Sequence, residues 1–169
     1  MNFYSALKEL FKQNISCLSE NIRLEESLGR TLSKPLTINK NIPEFDTSSM
    51  DGFAVKKSFL GKIDRFKILG ETAAGASSDF VIKPKECVRV YTGSRMPKNA
   101  DFVVIQENTW VEENFMHVNG YDKNSPYVRK IGLDFKKGQI ISYPMLIDYK
   151  LISALASLNL EKVSVIKKP

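Results

Sequence analysis

The hydrophobic pattern changes period twice along the chain, and that limits the folds open to it. In the opening segment Phe3, Leu7, Leu10, Phe11, Ile15 and Leu18 recur at three- to four-residue spacings. This puts them on one face of an amphipathic helix, a face whose packing into a core explains the pattern. A short second helix is expected at 24–28, closed by Gly29 as a left-handed cap. From about residue 43 to about 134 the helical spacing is gone. Short β-type runs at 52–55, 66–69, 88–91, 102–105, 109–111 and 115–118 alternate with Gly, Pro, Asn and Asp, and they predict a small sheet or barrel-like domain. After a further strand at 138–141, the helical period returns at Leu151, Ile152, Ala154, Leu155 and Leu158, between Asp148 as N-cap and Asn159 as stop, with a last strand at 163–166. The expected fold is α+β and mainly β. An all-β domain of residues 43–134 is inserted into a small α+β domain made of 1–42 and 135–169.

Composition narrows the function classes. The chain has 169 residues, 43% hydrophobic and 26% charged, which is ordinary for a globular protein. It contains no apolar run of the roughly 20 residues a membrane helix needs, and its start lacks the layout of a signal peptide. A cytoplasmic protein without a membrane partner is expected. The formal charge of +6 favours anionic ligands. Its lysine pairs (56–57, 83 and 85, 136–137, 167–168) are scattered, however, and lack the clustered cations and interleaved aromatics of a nucleic-acid surface. No nucleic-acid partner is expected. Cys17 and Cys87 have neither CxxC spacing nor companion histidines, so both read as small buried hydrophobes. His117, the one histidine, reads as a solvated strand residue.

Three stretches carry candidate chemistry. The densest is 43–55, where carboxylates and the hydroxyls of Thr47, Ser48 and Ser49 lie in a loop entering a strand. Hard oxygen donors of this kind suit Mg²⁺. The same residues equally suit a tight turn in which Asx and Ser side chains bond their own backbone. In the second, Tyr91-Thr92-Gly93-Ser94-Arg95, a hydroxyl, a glycine backbone and a cation together suit an oxyanion, without P-loop spacing. The third, at 128–134, sets Arg129 and Lys130 ahead of a turn and Asp134, and also reads as an exposed strand end.

Taken in order, these stretches resemble the MoeA/gephyrin family of molybdopterin molybdenumtransferases. The run Pro43-Glu44-Phe45-Asp46-Thr47-Ser48-Ser49-Met50-Asp51-Gly52-Phe53-Ala54 is similar to the family's PxFDxSxMDG signature. Thr92-Gly93 through Glu107 follows its TGxxxPxGxDxVVxxE pattern, Arg129 to Asp134 its RxxGxD segment, and 154–158 its ALASLG helix.

The resemblance implies an elongated N-terminal region, truncated before the α/β molybdopterin-binding domain. It also implies a homodimer, with an active cleft shared between the inserted domain of one subunit and the missing domain of its partner. The implied activity, part of molybdenum cofactor biosynthesis, is insertion of molybdate into adenylated molybdopterin with release of AMP and Mg²⁺ as cofactor; this region alone is expected to be inactive. Asp51 and Asp134 are the implied catalytic and Mg²⁺-binding carboxylates, and Ser49, Thr92, Gly93, Ser94, Arg129 and Lys130 the implied substrate contacts. Molybdopterin adenylyltransferase is a further implied partner. Leu133 and Ile131 depart from the family pattern, the first where it often has an acid and the second at its third basic position, and both lower the local charge. The alternative is a non-catalytic dimerisation or partner-docking module.

Overall fold

The computed structural model describes residues 2–12, 17–77 and 79–168. In chain order they form α1 (Phe3–Lys12), β1 (Ser19–Arg23), β2 (Leu36–Thr37), β3 (Thr47–Ser48), β4 (Gly52–Val55), β5 (Arg65–Thr72) and β6 (Glu86–Val90). These are followed by β7 (Phe102–Ile105), β8 (Thr109–Glu112), β9 (Phe115–Val118), β10 (Val128–Arg129), β11 (Ile140–Ile141), α2 (Tyr149–Ser157) and β12 (Lys162–Ile166). The fold is mostly β with two helices. It divides into two compact units, Met1–Ile38 with Gln139–Pro169, and Asn39–Gly138.

In the first unit the two ends of the chain pair. β1 runs antiparallel to β12, from Ser19 opposite Ile166 to Arg23 opposite Lys162, and β2 pairs with β11. β12 alternates so that Val163 and Val165 enter the core with Leu24, Leu32, Ile147 and Leu155. The Asp148 carboxylate accepts the Leu151 N–H at 2.8 Å and starts α2. Asn159, at φ 58°, ends it in the left-handed conformation that asparagine adopts more readily than most residues. Arg30 reaches Glu20 on β1 at 2.5 Å and the Ile166 carbonyl at 2.8 Å, tying both strands to the loop before β2.

Two expectations for this unit are corrected. The apolar stripe of α1 is not in a core: no described helix residue is buried, and Phe3, Leu10 and Phe11 are 72%, 66% and 82% exposed. Apolar periodicity says that a face favours cover but not what supplies it. Ile15 lies outside the described residues, and Leu18 is exposed beyond the helix. Cys17 is exposed as well, two residues before the largely polar strand β1, where the sequence supplies no run of apolar residues to bury it. Cys87 is buried, and burial pushes its thiol up to about 12. No helix among the described residues is long and apolar enough to cross a membrane.

The second unit is built on a six-stranded sheet of order β7-β4-β6-β5-β9-β8, with β10 paired to β3 beside it. β5 and β6 are parallel, whereas β4 is antiparallel to both β6 and β7. Both faces of its centre are covered. Phe53, Val55, Phe66, Cys87, Phe102, Val104 and Met116 pack in one cluster, and Ala54, Val88, Val90, Val103, Ile82 and Met96 in another. Near-continuous apolar runs such as 52–55 and 102–105 are what such burial requires. His117 departs from the solvated reading: its ring stacks on Trp110 at 3.9 Å between centroids and 12° between planes.

Gly52 is required by close approach. A Cβ there would lie 2.9 Å from the Ile105 Cα and would overlap the Val104 carbonyl. Gly52→Ala is expected to cost about 1–3 kcal/mol, the range for overpacking a filled site. Gly120→Ala, where an added Cβ meets nothing within 4 Å, is expected to change stability by about 1 kcal/mol or less. Denaturant midpoints of the two variants test the contrast.

Candidate functional site

The three candidate stretches converge around β3. Its Ser48 stands opposite Val128 and its Thr47 opposite Arg129. On its other edge Thr47 bridges to Arg95, the Gly93 N–H donates to the Ser48 carbonyl at 2.8 Å, and the Ser48 N–H donates to the Ser94 carbonyl at 2.9 Å. The 92–95 loop and the 128–129 strand therefore flank β3, roughly 10 Å apart at two strand spacings.

Asp51 sits just before β4, and one of its carboxylate oxygens is firmly held. Oδ1 accepts the Thr92 N–H at 2.7 Å and the Thr92 hydroxyl at 3.0 Å. These two bonds, with the nearby charge of Arg89, hold the Asp51 carboxyl below the usual carboxylate range. Oδ2 has no hydrogen bond among the described residues. Asp51 is thus an ionised, oriented carboxylate with one donor atom open.

The other expected site residues are placed differently. The Asp134 carboxylate binds Arg129 at 2.6 Å and shares no hydrogen bond with Asp51. Lys130 is held by Asp46 at 2.8 Å, and the Ile131 N–H donates to the same carboxylate at 2.9 Å. Burial raises the Asp46 carboxyl, but the Lys130 hydrogen bond, the Ile131 amide and the lysine charge together take it below its ordinary value. Both cations of the 129–130 pair are therefore already neutralised. Ser94 is fully buried, its hydroxyl donating to the Tyr91 carbonyl at 2.5 Å and accepting the Tyr91 N–H at 2.9 Å. Gly93, at φ 85°, has its amide taken by Ser48. The 92–94 amides thus bond inward and form no oxyanion cradle. Ser49 is half-buried, and its hydroxyl makes no hydrogen bond among the described residues. Among those residues, no group of three or more His, Cys, Asp or Glu is arranged to hold a metal ion.

Sequence reasoning missed one cation here, Arg89, whereas Arg95 was already the cation of the 91–95 candidate stretch. Arg89 faces Phe53 across the β4–β6 register, its guanidinium carbon 5.6 Å from that ring's centroid and 5.5 Å from the Tyr91 centroid. Arg95 lies 4.9 Å over the Phe45 ring. Neither makes an ion pair among the described residues. The available signal was the alternation of Arg89 and Tyr91 about buried Val90, which places both on one sheet face.

A mainly β unit carrying this loop cluster is the architecture of the MoeA proteins of molybdopterin biosynthesis. The MoeA protein of Pyrococcus horikoshii OT3 superposes with a TM-score of 0.84 at 26% identity, over all of this chain and 46% of that one. A second Pyrococcus MoeA structure gives 0.85 at 25%, over all of this chain and 45% of that one. The chain belongs to the MoeA N-terminal region family (domain I and II), whose model matches residues 1–158. The molybdopterin molybdenumtransferase of Staphylococcus epidermidis is 31% identical over 97% of this chain and 41% of its own length. The Bacillus subtilis protein of the same name is 32% identical over 89% of this chain and 37% of its own. The chain thus spans about two-fifths of the length of these curated relatives.

The Asp51–Thr92 contact has a pH signature. A carboxyl with a depressed folded pKa contributes stability that is fully present above its unfolded value, near 3.9, and lost as pH falls through the folded value. Carboxyl-carbon NMR should show Asp51 titrating below the ordinary aspartate range. Thr92→Val, which removes the hydroxyl bond and keeps the amide, should move that titration upward.

Proposed function

We propose that this region supplies half of the active site of a molybdopterin molybdenumtransferase, which inserts molybdate into adenylated molybdopterin and releases AMP. The observation that carries the reading is Asp51, ionised, anchored through Oδ1 by Thr92, and open at Oδ2. A carboxylate with one oxygen fixed and the other open is a hard donor that needs no reorganisation when charge arrives. Mg²⁺ takes one or two carboxylates and completes its shell with water and substrate phosphate, so Asp51 fits it, with the second Asp134 oxygen as the other candidate donor. When bound, the ion would offset charge on the departing AMP phosphate. Thr92 orients Asp51 and Arg89 adds positive charge beside it. Ser49 offers an open hydroxyl, while Arg129 and Lys130 act on substrate only by exchanging their carboxylate partners.

A second reading, dimerisation or partner docking, draws on a different observation, the exposed apolar face of α1. The two are compatible if the cleft is shared between subunits.

This chain by itself should release no AMP from adenylated molybdopterin. In a full-length enzyme containing it, Asp51→Asn should leave the melting temperature nearly unchanged and lower AMP release by about 10²-fold or more. Normal AMP release from a destabilised variant would reduce Asp51 to a turn residue. For assembly, sedimentation should find a homodimer at micromolar concentration, the range of standard-sized interfaces. Substituting Phe3 and Phe11 by Ser should shift it to monomer; a wild-type chain that stays monomeric sinks that reading.

A further inference from the structure

The cations of the second unit are not all scattered. Along β5, Arg65 and Lys67 alternate with buried Phe66, so both leave the sheet on the face opposite the Phe66 cluster. Lys62, in the turn before β5, and Lys85, in the turn before β6, reach the same place. Together the four line a concave groove of about 450 Å³. Phe115 stands opposite Lys67 in the β5–β9 register, and the Arg65 guanidinium carbon lies 5.0 Å from its ring centroid, which fixes one cation against an apolar floor. Lys85 is held at φ 70° and its carbonyl accepts the Lys67 N–H at 2.7 Å, so the two lysines are set side by side by the backbone.

None of these four cations makes an ion pair among the described residues. Glu86, the carboxylate that lines the groove, accepts the Lys83 N–H at 2.8 Å. Four like charges against one repel each other, and a compact anion carrying several charges relieves that repulsion. The volume lies within the roughly 300–1,000 Å³ of small-molecule sites. Glu86 on β6 and Glu112, opposite Phe115 on β8, bound the positive field on two sides. That favours a compact ligand over an extended polyanion track.

We propose that this groove binds a small phosphate-rich anion of the di- or triphosphate class. It shares no lining residue with the Asp51–Thr92 cluster, so the proposal stands or falls independently of the molybdenumtransferase reading.

Calorimetric titration of the full chain with inorganic pyrophosphate at physiological salt is the test. The expected result is saturable one-to-one binding, at least ten-fold tighter than for monophosphate, because two phosphoryl groups meet several cations. The double substitution Lys67→Ala with Lys85→Ala should weaken it at least ten-fold, and Lys150→Ala, an exposed lysine of α2, should leave it unchanged. If the double variant fails to fold, Lys62→Ala carries the same test from an exposed turn. Three results would overturn the proposal: no saturation in the millimolar range, affinity indifferent to the groove lysines, or tighter binding of a single-stranded oligonucleotide than of pyrophosphate.

Discussion

The second unit depends on how closely β4 lies against β7. β4 is hydrogen-bonded on both edges, to β6 and to β7, and is buried on both faces. At Gly52 the neighbouring backbone comes so near that no side chain fits. The same approach lets the Gln106 N–H donate to the Asp51 carbonyl at 3.0 Å, which fixes the residue before the strand. Once β4 is seated, Asp51 emerges at the end of the sheet beside the loop leaving β6, and Thr92 is within reach of its carboxylate. The candidate site is a consequence of sheet packing as much as of loop chemistry.

Around that anchor, most polar groups of the loops are used by the fold itself. Asp46 binds Lys130 and the Ile131 amide, Asp134 binds Arg129, and Asp101 binds Lys56 at 2.7 Å and accepts the Lys57 N–H at 2.7 Å. These contacts add to the backbone hydrogen bonds that hold the same segments, such as those of the Gly132 N–H to the Pro43 carbonyl and the Met96 N–H to the Asp46 carbonyl, both at 2.9 Å. Exposed pairs of this kind contribute little stability individually, but they decide which charges remain for a ligand. Asp51 at Oδ2, the second Asp134 oxygen, the Ser49 hydroxyl, Arg89 and Arg95 remain.

Much of the fold was legible. The runs at 52–55, 102–105 and 115–118 are strands because they alternate or are continuously apolar between turn residues, and α2 begins and ends where Asp148 and Asn159 place its caps. The polar β1 was not, because its residues carry no pattern and it is a strand only through pairing with β12. Asn99 makes a related point. It occupies a left-handed position, φ 69°, at the second glycine of the TGxxxPxG pattern, and asparagine is among the few residues that tolerate it. For the site, the motifs located the loops, but the Asp51–Thr92 contact joins residues 41 positions apart that no sequence pattern had paired, the resemblance having set Asp51 beside Asp134 instead.

By itself the sequence determined the family, the succession of helical and β periods, and the loops in which chemistry is concentrated, because these are properties of local order along the chain. Only the tertiary structure decided which charges are already paired. It turned Ser94 and the 92–94 amides inward, gave Lys130 to Asp46, left the α1 face uncovered, and gathered Lys62, Arg65, Lys67 and Lys85 from three stretches into one groove. The reason is physical. Periodicity reports whether a side chain leaves a strand or helix toward core or solvent, whereas an ion pair or a groove depends on distances between segments remote in sequence, which sheet register alone sets.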